Sequence, residues 1–226
     1  MSTPSQQRPK GKFVSNKDET IRLFDNPVLE YFSHIHPLTP IITFTPVMAY
    51  TGYQGFRELG ALMLILVFLV GIAAWTLTEY VLHRWVFHYH PKSSWGQRLH
   101  FLVHGIHHDY PRDSTRLVMP LLVSVPLAAL FYAAFVAVFG VFANALFAGF
   151  IAGYMSYDSI HYATHHLPMK SRIGRFLKTY HMRHHYEDEH TAYGVSNPLW
   201  DYVIGTVPPY LKNSARNQEV NSRENL

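Results

Sequence analysis

The chain has 226 residues, no cysteine and a formal net charge of +4 at pH 7. That length allows one domain of ordinary size, and the absence of thiols excludes disulfides, thiolate metal sites and iron–sulfur clusters. The lysines and arginines form no run or stripe, so the positive balance does not point to nucleic acid, and the sixteen histidines are the compositional outlier.

Residues 1–26 are polar and charged and contain no apolar h-region, so no cleavable signal peptide is visible. This stretch reads as a disordered or surface-lying leader. Residues 27–210 follow as one membrane-embedded domain, and residues 211–226 as a polar tail. Residues 29–52 are apolar and aromatic but interrupted by Pro37, Pro40 and Pro46. They read as a first span, with a re-entrant or interfacial segment as the competitor. Leu59 to Thr78 is 20 residues without a charge, about the length that crosses a hydrocarbon core of roughly 30 Å. A buried helix of a soluble protein is usually shorter and keeps one polar face, so a second span is the better reading. Leu117 to Tyr157 again lacks Asp, Glu, Lys and Arg over 41 residues. That is too long for one span and suits two short helices back to back, turning within Gly140 to Ala145. Pro120 and Pro126 fall in the first of the two, where a membrane helix tolerates proline.

Charge orients this arrangement. The leader holds five Lys/Arg, segment 83–116 five and the C-terminal segment eight, against one (Arg57) before the second span and none near residue 140. Four spans with both termini inside put the positive segments on one side, the cytosolic one. The expected fold is therefore all-α and multi-pass, with about four transmembrane helices and a histidine-rich helical cap on the cytosolic side.

Four histidine clusters lie on that side. They are His83 and His88 in HRWVFH, His104, His107 and His108 in HGIHH, His161 and His165 in HYATHH, and His181, His184 and His185 in HMRHH. Helix positions i, i+3 and i+4 share a face, so each H-x-x-H-H triad is expected to converge on one point. His161 and His165 form an i, i+4 pair, a common way for a helix to present two imidazoles to one ion. His83 and His88 are five apart, about 140° round an ideal helix, which suits a site entered as the helix ends, or two different metals. Ten imidazoles exceed what one ion binds and suit two ions with about five each. Imidazole favours iron, copper or zinc over magnesium or calcium. His34, His36, His90, His100 and His190 lie outside the pattern and read as surface or hydrogen-bonded residues. His166 adjoins His165 and stays open between ligand and outer hydrogen-bond partner.

Glu79, Asp109, Asp113, Asp158, Glu187 and Asp188 are candidates to accept the outer ring N–H of a ligand. Glu79 and Asp158 stand out, each about a turn before a ligand at a membrane helix end, where a charge is expensive unless paired or functional. The alternative for both is an ordinary interfacial carboxylate. Tyr80, Tyr157, Tyr162 and Tyr180 either line the site or belong to an aromatic belt, and the belt is the better reading for most of them. Lateral substrate entry between the third and fourth spans is expected. Gly149 and Gly153 there permit close helix packing.

At these residues the sequence resembles the fatty acid hydroxylase superfamily of membrane enzymes, which also contains sterol desaturases, and within it the fatty acid 2-hydroxylases. EYVLHRWVFH (79–88), HGIHHDYPRDSTRLVMP (104–120), YDSIHYATHH (157–166) and YHMRHHY (180–186) are similar to that group's histidine boxes, and the resemblance covers about residues 60–206. It implies that the ten clustered histidines bind two metal ions, with iron the working metal and zinc sometimes bound in purified members. It implies O2-dependent hydroxylation at the 2 (alpha) position of the acyl chain of a fatty acid or a ceramide-like lipid. Some relatives carry a fused cytochrome b5 domain with a His-Pro-Gly-Gly motif. Here His36-Pro37 is followed by Leu-Thr, so a separate cytochrome b5-like or ferredoxin-like electron donor is expected. A bacterial inner membrane and an endoplasmic reticulum both fit. The competing readings are a sterol or carotenoid hydroxylase or desaturase with the same clusters, a membrane metal-binding or transport protein, and a catalytically dead scaffold, against which the complete ligand set argues. Transporters place ligands near the bilayer midplane, whereas here no clustered histidine lies within an apolar run.

Overall fold

The computed structural model of the chain describes residues 13–211. Residues 1–12 of the leader and residues 212–226 of the tail lie outside them. The described residues form helices and connecting segments, with no strand among them.

Asn26 starts the first helix, its side chain accepting from the N–H groups of Val28 and Leu29, with Pro27 at the first helical position. This α1 (Pro27–Phe32) is short, and the chain then bends through His36-Pro37 before α2 (Thr39–Leu59) begins with Pro40 in its first turn. The expected first span at 29–52 is thus a separate short helix and a longer one displaced toward the C-terminus. The cause is local. Proline disfavours helical backbone in the residue before it, but fits the first turn of a new helix. Pro46 sits inside α2.

The chain turns at Gly60 into α3 (Ala61–Val81). This helix continues without a break into a π-helical turn, Leu82–Phe87. Pro120 stands at the N-cap of α6 (Leu121–Phe139), one step outside the helix that was expected to contain it, and Pro126 lies inside. Between π turn and α6 lie three linked pieces of the cap: α4 (Ser94–His100), a π segment Phe101–Gly105 and α5 (Ile106–Asp109). A 3-10 turn at Gly140–Phe142 then joins α6 to α7 (Ala143–His166), inside the predicted stretch. Gly140 adopts φ +52, a left-handed conformation that a residue without Cβ takes at little cost. Tyr132 donates to Asn144 Oδ1, and Phe131 packs on Phe150 at 4.7 Å between ring centroids. The two helices are therefore an antiparallel hairpin.

α7 is the centre of the molecule. Phe147, Phe150, Ile151, Tyr154 and Tyr157 on it are buried against Phe44 of α2 and Trp75 of α3. α3 runs parallel to α7 at very close range. A Cβ added to Gly71 would run into the carbonyl oxygen of Leu146, and one added to Gly149 into that of Phe68. This close approach fixes the axial position of α3 against α7, so both helices deliver their C-terminal histidines to the same level.

Two stretches, Ala61–Phe87 and Leu121–His166, are long and apolar enough to cross a membrane. Only 11% and 6% of their most apolar windows are buried within the chain. Leu62, Ile65, Leu69, Leu122, Leu130 and Val138 are among the large side chains left facing outward. The core helix of a soluble protein hides such a surface, and an exposed one of this extent marks contact with lipid or a partner.

Candidate metal centre

Beyond α7 the chain bends at Leu167 and Pro168 and re-enters helix as α8 (Arg172–Tyr186), whose N-cap Ser171 accepts from Gly174 N at 3.0 Å. One face of α8 buries Leu177, Tyr180, His181, His184 and His185. This face, the π turn after α3, the α4–α5 stretch and the end of α7 enclose the histidines. All ten are buried except His88, which is half-buried.

They fall into two groups of five. His83, His88, His104, His108 and His184 form the first, and His107, His161, His165, His181 and His185 the second. Within each group the ligand atoms lie within 4.8 Å of one another. The triads therefore do not each converge on one point. In each, the i, i+4 pair stays together, as His104 with His108 and His181 with His185, while the third histidine points to the other group. Steps of three and four residues differ by about 100° round a helix, enough to aim neighbouring imidazoles at two centres. The H-x-x-H-H pattern is thus a bridge between the groups.

His83 and His88 come together for a different reason. The π turn carries a hydrogen bond from His88 N to His83 O at 3.1 Å, five residues apart. This wider winding puts both imidazoles on one face, with Nε2 atoms 3.3 Å apart. An α-helix would have separated them.

The nitrogen spacings test whether a metal fits. In the first group, Nε2 of His88 lies 3.2 Å from that of His104 and 3.0 Å from that of His184, and His104 and His108 are 3.0 Å apart. In the second group, His161–His107 and His165–His181 are each 2.9 Å apart and His185–His181 is 3.1 Å. Two ligands at right angles on bonds of about 2.0–2.1 Å lie about 3 Å apart. A neutral imidazole has one donor nitrogen and one acceptor, so five convergent Nε2 atoms cannot satisfy one another. Two of them have settled tautomers. Nδ1 of His83 donates to the carbonyl of Tyr193 at 2.5 Å, and Nδ1 of His184 to that of Thr191 at 2.7 Å, which leaves each Nε2 as a lone pair aimed inward. The imidazoles of the cap are also kept neutral. Burial, with His83 and His166 nearby, holds His107 down to about 3. Burial and then neighbouring imidazoles likewise depress His104, His108, His181 and His185. Buried, neutral and convergent nitrogen donors fit a cation in each group.

The other histidines are elsewhere. His34 bonds Thr115, Glu30 and Arg116. His36 accepts from Leu38 N at the entry to α2. His90 packs on His100, and His166 stacks on Tyr162 at 4.6 Å. None of these joins a group.

Four of the six candidate carboxylates, Glu79, Asp113, Glu187 and Asp188, make hydrogen bonds or ion pairs away from the ligand rings. Glu79 accepts from the N–H groups of Val195 and Ser196 and from the Ser196 hydroxyl, so it holds a loop and no ligand ring. Asp158 is buried beside the Tyr154 hydroxyl and the Met119 backbone. Asp113 bonds Thr115 and pairs with Arg116, Glu187 pairs with Arg183, and Asp188 accepts from His190 N. Sequence reasoning passed over Asp201 on α9 (Leu199–Ile204), a fully buried carboxylate that accepts from Tyr193 N, Gly194 N and Thr206 Oγ1. No spacing signals it, because its partners lie in a loop.

The described part of the leader lies over the cap surface. Val14 N and Ser15 N donate to the carbonyl of Asp109, beside His108, and Tyr186, beside His185, donates to Asn16. On the opposite side, toward the apolar helices, Trp75, Met119, Ser124, Leu127, Phe131 and Tyr154 line a narrow cavity between α3, α6 and α7. Trp75 Nε1 is buried there without a hydrogen-bond partner among the described residues, and the buried Tyr154 hydroxyl lies beside Ser124 and Asp158.

Apolar helices long enough to cross a membrane, capped by two five-histidine groups that could each hold a metal ion, define the class of protein. Residues 68–206 match the fatty acid hydroxylase family, and the chain belongs to that family. Among its relatives is a dihydroceramide fatty acyl 2-hydroxylase of Arabidopsis thaliana, 42% identical over 140 residues, which are 62% of this chain and 59% of the relative. A ceramide very long chain fatty acid hydroxylase of Saccharomyces cerevisiae is 39% identical over 169 residues, 73% of this chain and 44% of the relative. The chain thus spans about half the length of these two relatives. The solved structure of full-length Scs7p, in which only the hydroxylase domain is visible, superposes with a TM-score of 0.78 at 37% identity, over 82% of this chain and 71% of that one.

Proposed function

We propose that this chain is an O2-dependent hydroxylase that adds a hydroxyl at the 2 position of the acyl chain of a fatty acid or ceramide-like lipid. The observation that carries the proposal is the pair of five-histidine groups at the ends of apolar helices, in a chain of the fatty acid hydroxylase family. His83, His88, His104, His108 and His184 are proposed to hold one metal ion, and His107, His161, His165, His181 and His185 the other. Iron is the expected working metal, and zinc can occupy the same donors. When bound, the metal pair supplies the activation of O2 that a strong, weakly acidic C–H bond requires.

The chain's own part is to hold, shield and position. The ten imidazoles are buried or half-buried and kept neutral, and those of His83 and His184 already aim an Nε2 lone pair inward. Lateral entry of an acyl lipid from the bilayer is proposed between α3, α6 and α7, beside the narrow cavity lined by Trp75, Ser124 and Tyr154, whose buried polar atoms suit a polar group of that lipid. α2, α3, α6 and α7 are proposed as four spans, with the cap on the cytosolic side of a bacterial inner membrane or an endoplasmic reticulum. The distribution of Lys and Arg supports that orientation. His36-Pro37 belongs to the entry turn of α2, and electrons are proposed to arrive from a separate cytochrome b5-like or ferredoxin-like protein.

The test is expression in a host without 2-hydroxylated lipids, with a co-expressed reductase system, followed by mass spectrometry of total acyl chains. A 2-hydroxy acyl species is expected, and His184→Ala should reduce it below detection. Its position on free acid or on ceramide identifies the substrate. No new acyl species from a metal-loaded protein with a working donor would refute the reading.

A further inference from the structure

The two histidine groups are built alike at their Nε2 atoms and unlike at their outer edges. In the first group, His83 and His184 donate their Nδ1–H to the carbonyls of Tyr193 and Thr191. In the second, the Nδ1 atoms of His161, His165, His181 and His185 are buried without a hydrogen-bond partner among the described residues.

The two carbonyls belong to one loop, residues 191–197, and that loop is held from beneath. Four successive backbone N–H groups end on two carboxylates. Tyr193 N and Gly194 N donate to Asp201 at 3.0 and 2.8 Å, and Val195 N and Ser196 N to Glu79 at 2.7 and 2.8 Å. The Ser196 hydroxyl adds a further bond to Glu79, and Thr206 Oγ1 bonds Asp201 at 2.7 Å. Both carboxylates are buried, at 3% and 0% exposure, and each gives at least two of its acceptor bonds to the loop. Between the two ligand-facing residues lies Ala192, fully buried with φ 59. A non-glycine residue in the left-handed region is uncommon and persists only where its surroundings hold it. Here the reversal at Ala192 lets the carbonyls on both sides of it face imidazoles.

We propose that Glu79 and Asp201 are positioning residues that act through loop 191–197 on His83 and His184, and that they make the first histidine group the tighter of two unequal metal sites. This rests on the metal-centre reading above and goes beyond it. An imidazole whose outer N–H is fixed by an acceptor is oriented and made a better donor, and losing such a partner typically costs about 10–100-fold in metal affinity. Glu79 sits on α3 and Asp201 on α9, so the loop also ties the helix that carries His83 to the segment that follows α8.

The experiment uses the full chain purified in detergent and loaded with zinc(II), titrated with a graded competing chelator, with metal per chain counted by mass spectrometry. The wild type is expected to release its two ions in two steps. His165→Ala should remove the weaker step and His184→Ala the tighter one, which assigns them. Asp201→Asn and Glu79→Gln should weaken the tighter step by about tenfold or more and leave the weaker step in place. Ser196→Ala, which removes one bond to Glu79, should move the same step in the same direction by less, and it keeps the test open if a carboxylate variant fails to fold. Two steps that move together, or neither moving in variants with wild-type helical content, would overturn the inference while leaving the metal centre intact. A wild type that binds no zinc would overturn the metal-centre reading itself.

Discussion

At the scale of single residues, the histidines of the cap stay neutral well below the pH at which water would protonate them. An imidazole in solution takes a proton as the pH falls through about 6.5. His107 resists this until about 3, because burial, with His83 and His166 nearby, penalises its charged form. His104, His108, His181 and His185 are shifted the same way. The sign of the linkage follows. Between about 6.5 and 3 the unfolded chain binds protons that the folded, metal-free chain does not, so stability is complete above about 6.5 and is lost as the pH falls. Each such histidine contributes about 1.4 kcal/mol per pH unit at most. Chelator-treated protein should therefore show a thermal midpoint that is flat from pH 8 to 7 and drops steeply between 6.5 and 5. A midpoint indifferent to pH in that window would mean that the imidazoles are not buried as neutral groups. The same chemistry explains what was legible in the sequence. Spacings of three and four place imidazoles on related faces whatever surrounds them, so the ten histidines declare themselves. Two groups of about five were also expected, but which histidine joins which group was not legible, because a 100° difference in aim acquires meaning only when the opposing helix is in place. Asp201 was illegible for a related reason. Its partners are backbone N–H groups of a loop, and loops leave no periodic trace.

At the scale of elements, α7 decides where everything else stands, and glycine lets its neighbour come close. Gly149 faces the carbonyl of Phe68 at a distance with no room for a Cβ, so Gly149→Ala forces α3 and α7 apart. Overpacking of this kind costs about 1–3 kcal/mol. Because α3 ends in His83 and α7 in His161 and His165, the same displacement should pull the two histidine groups out of register. Gly52→Ala is the matched control, since its Cβ would meet only the Cβ of Ala148 at 3.8 Å, an ordinary contact. Thermal unfolding and bound zinc, measured together, should both fall for Gly149→Ala and stay near wild type for Gly52→Ala. Equal behaviour of the two variants would show that the close crossing does not set the site. Composition predicted the α6–α7 hairpin and its turn, because an uncharged run too long for one helix must reverse. It could not reveal the π turn after α3. Five-residue spacing reads as divergent on an ideal helix, and only the i to i+5 hydrogen bond brings His88 back over His83.

At the scale of the whole molecule, the outward faces of α3 and α6 carry leucine, isoleucine and valine, while lysine and arginine gather toward the cap. The proposed insertion, with the cap on the cytosolic side and the Gly140 turn opposite, rests on this asymmetry. The chain contains no cysteine, so a single introduced thiol reports on one place alone. Val141→Cys marks the exposed α6–α7 turn, and Lys170→Cys marks the exposed segment between α7 and α8. Both can be probed in sealed, right-side-out membranes with a maleimide that does not cross the bilayer. The Val141 variant should label without permeabilisation and the Lys170 variant only after it. α7 is 24 residues long, about 36 Å at 1.5 Å per residue, which suffices to separate its two ends by one hydrocarbon core. Labelling of both variants from outside would mean that the α6–α7 hairpin lies in the interface without crossing. The reverse pattern would put the cap on the far side, where cytosolic electron donors cannot reach it. Either result would break the link between charge distribution and electron supply on which the proposed reaction depends.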